Sequence, residues 1–334
     1  MRRIALTALC ATAFLLFHAY ARADDRIVLM VGGLEKQIYL PAILAQRLGY
    51  FENQGLQVEL QSEPSGVSAT DVLLAGAAHG VIGAYDHTID LQAKGKSVRA
   101  VVLFTIAPGE AELAAVRRAH PIASPADFRG RNLGVTGLGS STSFLTQYLA
   151  ALHGIKPAEL ALVPVGSGDT FISAMELGRI DAGMTTEPTA SRAIASGAAR
   201  VLVDLRTPES THKALGGLYP FACLYMQTVW INAHPAQVQK IANALVGALR
   251  FINTHSAADI AARLPESYLG GNRALYVQSL AASKSIFTPD GSMPADGPAT
   301  VLRVLSTVNT VVRGKNIDLS KTYSLQFVSA VPGN

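Results

Sequence analysis

Along most of this chain, short unbroken apolar runs alternate with stretches in which apolar residues recur every three or four positions. The runs at 26–31, 81–84 and 98–104 and the alternating stretch 56–60 read as strands. Between them, 39–48 is a helix pattern closed by Gly49, and 69–74 is a shorter one closed by Gly76. A turn at Ala107-Pro-Gly109 follows, and after Pro121 and Pro125 a second unit begins. There the strands fall at 133–135, 160–165, 182–184 and 201–204, again with helical segments between them. Beyond Trp230 the stretches 235–254, 256–264 and 272–285 read as helices with little strand. Strands alternating with helices predict an α/β architecture with parallel sheets and ligands at the carboxyl ends of the strands. No repeat and no low-complexity linker appears, so the two units are expected to be joined by short crossings.

The first residues change the reading of compartment and charge. Arg2 and Arg3 precede an apolar run over 4–17, and Ala21-Arg-Ala23 supplies a small-residue cleavage site before Asp24. At 14 residues the run is short for a membrane span, and Cys10 lies inside it rather than after it. The expectation is an export leader over 1–23 and a soluble mature chain over 24–334, long enough for two cores. Three of the 28 basic residues fall in the leader, which leaves 25 against 24 acidic ones. Basic residues are scattered without a block, which argues against nucleic acid as a partner. Cys223 is the one cysteine left, so no internal disulfide forms. It sits in the apolar run Phe221-Ala-Cys-Leu-Tyr-Met226, the setting of an inert buried thiol.

The segment Leu133-Gly-Val-Thr-Gly-Leu-Gly-Ser-Ser-Thr-Ser-Phe144 carries the most chemistry. It reads as a strand, a glycine turn and a helix that begins near Ser140 or Ser141. Free backbone N–H groups, the Ser140, Ser141 and Thr142 hydroxyls and the positive end of the helix dipole would converge there on an anion beside Gly139. The competing reading is a plain N-cap, since Ser and Thr are preferred at that position anyway. Asp86 reads as the cap of the helix after 81–84, and Tyr85 as a cleft residue. Asp169 or Ser167 reads as the cap of a helix containing Phe171 and Met175. Lys36 stands between a ligand contact and a solvated charge, and His87 is open in the same way.

The order of four motifs then resembles the nitrate/sulfonate/taurine-type solute-binding proteins of ABC importers, a group that also includes binders of the thiamine pyrimidine. They are Gln37-Ile-Tyr-Leu-Pro-Ala-Ile-Leu-Ala-Gln-Arg-Leu-Gly-Tyr-Phe-Glu-Asn-Gln-Gly-Leu-Gln-Val-Glu59, Leu74-Ala-Gly-Ala-Ala-His-Gly-Val-Ile-Gly83, Phe128-Arg-Gly-Arg-Asn-Leu-Gly-Val-Thr-Gly-Leu-Gly-Ser-Ser141 and Gly178-Arg-Ile-Asp-Ala-Gly-Met-Thr-Thr-Glu-Pro188. The second departs from the usual pattern by placing His79 where an acid is common. The resemblance implies a type II periplasmic-binding-protein-like α/β fold, two lobes with a ligand cleft between them, with the chain crossing twice. The expected division is 24–108 with 222–334 as the first lobe and 109–221 as the second. It also implies a small anionic ligand (a sulfonate or taurine-like compound, nitrate or an organic carboxylate), an ABC permease as partner, a monomer, and no cofactor, metal or catalytic role. Binding of a thiamine-precursor pyrimidine or a periplasmic sensor role are the alternatives.

Loops at the strand ends supply the expected ligand contacts: Gln37, Tyr39 and Tyr85 from the first lobe, and Gly139, Ser140, Ser141, Thr142, Thr186 and Glu187 from the second. Tyr219, near the return crossing, would add an aromatic wall. Glu187 is unwelcome in an anion pocket unless it is paired. Enzyme readings lack their motifs: there is no G-x-S-x-G, no H-E-x-x-H and no C-x-x-C, and the cysteine-rich metal motif of pyrimidine synthases is missing.

Overall fold

A computed structural model describes residues 26–116 and 121–333; the expected leader over 1–23 lies outside the described residues. The strands β1 (Arg26–Val31), β2 (Gln57–Ser62), β3 (Gly80–Ala84), β4 (Val98–Leu103) and β10 (Ala222–Gln227) form one sheet in the order β2-β1-β3-β10-β4. The strands β5 (Glu110–Ala115), β6 (Asn132–Val135), β7 (Ala161–Pro164), β8 (Ala182–Thr186) and β9 (Ala199–Leu205) form a second in the order β7-β6-β8-β5-β9. Each sheet, with the helices against it, makes one α/β lobe. The chain passes between them over residues 104–109 and again over 206–221. The two passages are tied where Gly109 N–H donates to Leu205 C=O at 3.0 Å and Tyr219 N–H donates to Ile106 C=O at 3.1 Å.

The sheets are mixed, not parallel as the strand–helix alternation predicts. β1 pairs parallel with β2 and β3, and β6 pairs parallel with β7 and β8. But β10 runs antiparallel between β3 and β4, and β5 runs antiparallel between β8 and β9. Neither antiparallel strand stands out in the sequence. β5 carries two glutamates in a run of six, and β10 is an unbroken apolar stretch that periodicity cannot assign. This geometry gathers functional residues at one edge. Parallel strands present their carboxyl ends there, and antiparallel strands present their first residues, Glu110 of β5 and the segment entering β10.

One apolar cluster runs through the first sheet and the C-terminal helices, including Pro235–Thr254. It also takes in Phe144, Leu145, Tyr148 and Leu149 from the helix Ser141–Ala151 of the second lobe. Positions 145, 148 and 149 are helical neighbours on one face, so burying them couples the lobes. Two further clusters cover the second sheet, one around Phe171 and Ile180, the other around Phe128 and Leu133. The helix Gly297–Val308, which the sequence pattern does not single out, packs against Ser141–Ala151. Arg303 Nη1 also donates to Tyr148 Oη there at 2.7 Å.

Candidate functional site

The glycine turn after β6 folds back on itself. Gly139 adopts φ 78°, a left-handed conformation that glycine takes without a Cβ penalty. Ser140 is the N-cap of Ser141–Ala151: its Oγ accepts from Ser143 N–H and donates to Gly137 C=O at 2.6 Å. Thr142 Oγ1 accepts from Thr136 N–H at 3.0 Å. Both hydroxyls are therefore engaged within their own turn. Ser141 behaves differently, because its Oγ donates to Asp86 Oδ1 at 2.8 Å, on a helix of the other lobe. A second contact between lobes joins the backbones, where Gln37 N–H donates to Glu187 C=O at 2.9 Å. Ser167 Oγ adds a third by donating to Glu35 Oε1.

These contacts close over a small cavity. Lys36, Tyr39, Gly66 and His87 line it from the first lobe; Glu110, Thr136, Ser140, Ser141, Thr142 and Thr186 line it from the second, with Phe221 on the return passage. The space they leave is about 10 Å³, close to what one water molecule occupies. An organic solute needs far more, so the walls must draw apart to admit one. Glu110 and Thr186 are cross-strand partners on β5 and β8. Three of the lining side chains hold buried atoms without a hydrogen-bond partner: His87 Nε2, Glu110 Oε2 and Thr186 Oγ1. A buried polar atom left unpaired costs on the order of 1–3 kcal/mol, so three around one cavity mark a place built to meet polar groups.

Burial governs the charges here. It pushes Glu110 well above the usual carboxylate range, with Lys36 opposing the shift and Asp86 and Glu112 adding to it. Asp86 is raised by burial, against the pull of His87 and the hydrogen bond from Ser141. Burial lowers Lys36, while Glu35 and Glu110 act in the other direction. Two places below Glu110, on the same face of β5, Glu112 accepts from Thr146 Oγ1 at 2.7 Å, and its burial raises it to about 8. Lys36 Nζ donates to Gly32 C=O and sits 6.0 Å from the centre of the Tyr39 ring.

Several expected positions lie elsewhere. Tyr85 is fully buried and its hydroxyl pairs with Thr322 in the C-terminal segment, so it faces away from the cavity. Asp86 does not cap its helix. It looks across at Ser141, and Tyr219 Oη reaches its Oδ2 at 3.5 Å, so Tyr219 supports Asp86 instead of walling the cleft. Gln37 Nε2 donates to Ser279 Oγ at 2.8 Å and so holds the helix Arg273–Ser283. Glu187 is paired: Oε1 accepts from Arg206 Nη1 at 2.8 Å and from Ser191 Oγ at 2.9 Å, and Oε2 accepts from Ser191 N–H at 3.0 Å. The helix Asp169–Glu176 starts from Gly168 with no side-chain cap, because Ser167 is turned to Glu35 and Asp169 to Arg192.

Glu110 is the residue that sequence reasoning missed. Its signal was present, since two acids at alternating positions in Glu110-Ala-Glu-Leu-Ala-Ala115 are unusual inside a buried strand. Lys36 and His87, left open above, both line the cavity and are buried. Among the described residues no group of three His, Cys, Asp or Glu side chains could hold a metal ion, and no helix is long and apolar enough to cross a membrane. Cys223 is buried, and burial raises its thiol well above its usual value.

The NMT1/THI5-like family model matches residues 38–255. No curated protein matches the chain in sequence. Among solved structures, a protein of Bordetella bronchiseptica RB50 is 33% identical, with a TM-score of 0.87 over 92% of this chain and 96% of that one. The periplasmic aliphatic sulphonate-binding protein SsuA of Escherichia coli is 18% identical, with a TM-score of 0.63 over 90% and 92%. The periplasmic nitrate-binding protein NrtA of Synechocystis PCC 6803 is 11% identical, with a TM-score of 0.69 over 91% and 87%. An enzyme shares the architecture: the desulfurization enzyme DSZB is 17% identical, with a TM-score of 0.60 over 91% and 98%. The chain belongs to the NMT1/THI5-like family and has the periplasmic binding protein fold.

Proposed function

We propose that this NMT1/THI5-like chain is an exported solute-binding protein of an ABC importer, which closes two lobes on a small anionic solute and hands it to a membrane permease. The observation that carries this reading is the cavity at the strand edge, walled from both lobes and holding three buried polar atoms without partners. A clamp that must open to load and close to retain its solute needs contacts from both lobes, because a ligand shifts the open–closed balance only by its differential affinity for the two states. Lys36, Thr186 and the N-terminus of Ser141–Ala151 are the groups that would meet the anionic end. Export rests on the leader pattern over 1–23, and the division into 24–108 with 222–334 against 109–221 rests on where the chain changes sheets. The SsuA and NrtA likenesses support a sulfonate or nitrate-sized solute, and the likeness to a ligand-binding component of an ABC-type import system from Staphylococcus aureus supports a permease partner.

The test is a melting-temperature screen of the mature chain against sulfonates, carboxylates and nitrate. A solute at a hundred times its Kd stabilises the folded state by about 2.7 kcal/mol. A hit that also shrinks the radius of gyration in solution scattering supports capture. A ligand that is consumed in the assay, or one that binds without compaction, overturns it.

A further inference from the structure

An anion only accepts, so every group that meets it at this cavity must bring an N–H or O–H. Few are left. Ser140 Oγ donates to Gly137 C=O and Ser141 Oγ to Asp86, while Lys36 already spends one N–H on Gly32 C=O. The side-chain atoms still without partners are Thr186 Oγ1, His87 Nε2 and Glu110 Oε2. Glu110 is the odd one among them. As a carboxylate it has nothing to give and sets like charge beside the solute; as a neutral carboxyl it has one O–H to donate. Charge balance points the same way. Three buried acids, Glu110, Asp86 and Glu112, stand at or just behind the walls against one buried lysine, Lys36. With all three ionised, the negative charge exceeds the positive before any solute arrives, in a space with room for about one water to screen it.

We infer that Glu110 is the second lobe's donor to the bound solute: it takes up a proton as the lobes close and gives that O–H to the solute's anionic group, while Lys36 meets the same group from the first lobe. The inference rests on the anion-capture reading above and adds to that site a proton that travels with the solute. Glu110 stands at the first position of β5, and Lys36, Tyr39 and His87, which close the cavity over it, belong to the first lobe. Parted lobes therefore leave it to water, where a glutamate is ionised at neutral pH. Closure strips the water away, and the arriving anion disfavours the charged form further. In the closed form burial already holds Glu110 well above the usual carboxylate range, with Lys36 opposing the shift and Asp86 and Glu112 adding to it. The other titratable groups around it are His87, Tyr39 and Tyr219, and burial keeps both tyrosines neutral. Its cross-strand partners, Thr186 and Leu205, carry no charge. The proton comes from solvent on capture and returns to it on release, so no other reactant is needed.

Calorimetry with ethanesulfonate, benzoate and nitrate, each ionised throughout about pH 6 to 9, tests it. Titrations at neutral pH in two buffers of different ionisation enthalpy count the protons taken up, and a series across the pH range follows the affinity. The wild type should take up a proton, approaching one per solute bound. Its affinity should fall by up to about tenfold per pH unit as pH rises, because the bound state holds the extra proton. Glu110→Gln still donates through its amide but cannot ionise, so both the uptake and the fall with pH should vanish in it. His87→Gln should keep both. Wild-type uptake together with His87→Gln decides the matter should Glu110→Gln fail to fold. Binding without proton uptake or pH dependence overturns the Glu110 donor and leaves anion capture intact. Uptake that persists in a folded Glu110→Gln, or that is lost in His87→Gln, assigns the proton elsewhere and overturns it too. No binding by any of the three solutes overturns anion capture itself, and the inference falls with it.

Discussion

Ser141 donates its hydroxyl to Asp86 at 2.8 Å, and the bond runs from the first turn of one lobe's helix to the first residue of a helix in the other. Asp86 is fully buried, and besides Ser141 it meets Tyr219 Oη at 3.5 Å and the backbone N–H of His87. The bond joins the two lobes, so in the clamp proposed above it would act as a latch and not as support within a lobe. Ser141→Ala leaves a buried carboxyl short of its donor, at a cost of about 1–3 kcal/mol set against the closed form. The expected outcome is a shift of roughly tenfold toward the open form. Solution scattering without ligand should show a larger radius for the variant than for the wild type. Identical curves for the two proteins would dismiss the latch.

Ser140 separates from Ser141 in the same experiment. Its hydroxyl caps its own helix, so Ser140→Ala should lower stability by about 1 kcal/mol with little change in ligand affinity. A large affinity loss at position 140 with the melting temperature unchanged would restore Ser140 to the anion site.

Arg206 holds Glu187 beside the cleft. The Glu187 side chain is only 3% exposed, while Arg206 is 21% exposed and also pairs with Asp204. Arg206→Met removes the cation but leaves the two donors of Ser191, so the loss should fall at or below the 3–5 kcal/mol typical of a broken buried pair, about 2–3 kcal/mol. Glu187→Gln in the same background should recover part of it, because the uncompensated charge is gone. Denaturant unfolding of the two variants gives the comparison. A double variant no more stable than Arg206→Met would show that the charge of Glu187 is not the cause.

Much of this was legible in the chain. The helix Pro235–Thr254 and the strand Arg26–Val31 have the predicted bounds, because the helix carries one clean period over its length and the strand is a short apolar run closed by Gly32 and Gly33. The glycine turn before Ser141–Ala151 was legible because Gly and Ser have specific backbone reasons to stand there. What escaped was set by partners far away in sequence. β10 lies between β3 and β4, more than a hundred residues earlier, and no local pattern announces an antiparallel insertion. Tyr85 looked like a strand-end contact, yet its hydroxyl partner is Thr322 near the other end of the chain. Asp86 resembled a cap because acids are favoured in a helix's first turn, and its Ser141 donor comes from the second lobe, far away in sequence.

Glu112 should make stability depend on pH. It is fully buried, accepts one bond from Thr146, and is raised from 4.5 to about 8. Between those values the folded protein keeps a proton that the unfolded chain has released. The unfolded state therefore binds fewer protons, and stability falls as pH rises through the window, by about 1.4 kcal/mol per pH unit for one group. Glu112→Gln removes that titration, so the variant should gain on the wild type as pH rises from 5 to 8. Glu110 and Asp86 are raised in the same direction and keep part of the slope, so the difference between the two proteins is the measurement. Parallel curves of unfolding free energy against pH would show that Glu112 does not titrate in this range.

Gly137 tests closure without touching a charged group. A Cβ at this position would sit 3.1 Å from Ser65 Oγ and 3.2 Å from Ser65 Cβ, and Ser65 belongs to the other lobe. Its backbone is not left-handed, so a side chain is tolerated wherever the lobes stand apart. Substitution therefore acts on the approach of the lobes and not on the folding of either one. Gly137→Ala should weaken ligand binding modestly, since Ser65 can give by a few tenths of an ångström. Gly137→Val, with two further methyls, should weaken it by roughly a hundredfold if the closed state is disfavoured by about 3 kcal/mol of overpacking. Melting temperatures without ligand should change far less than the dissociation constants. Equal affinity in Gly137→Val and the wild type would mean that the solute is held without the two lobes meeting at this turn, and the clamp would have to be abandoned.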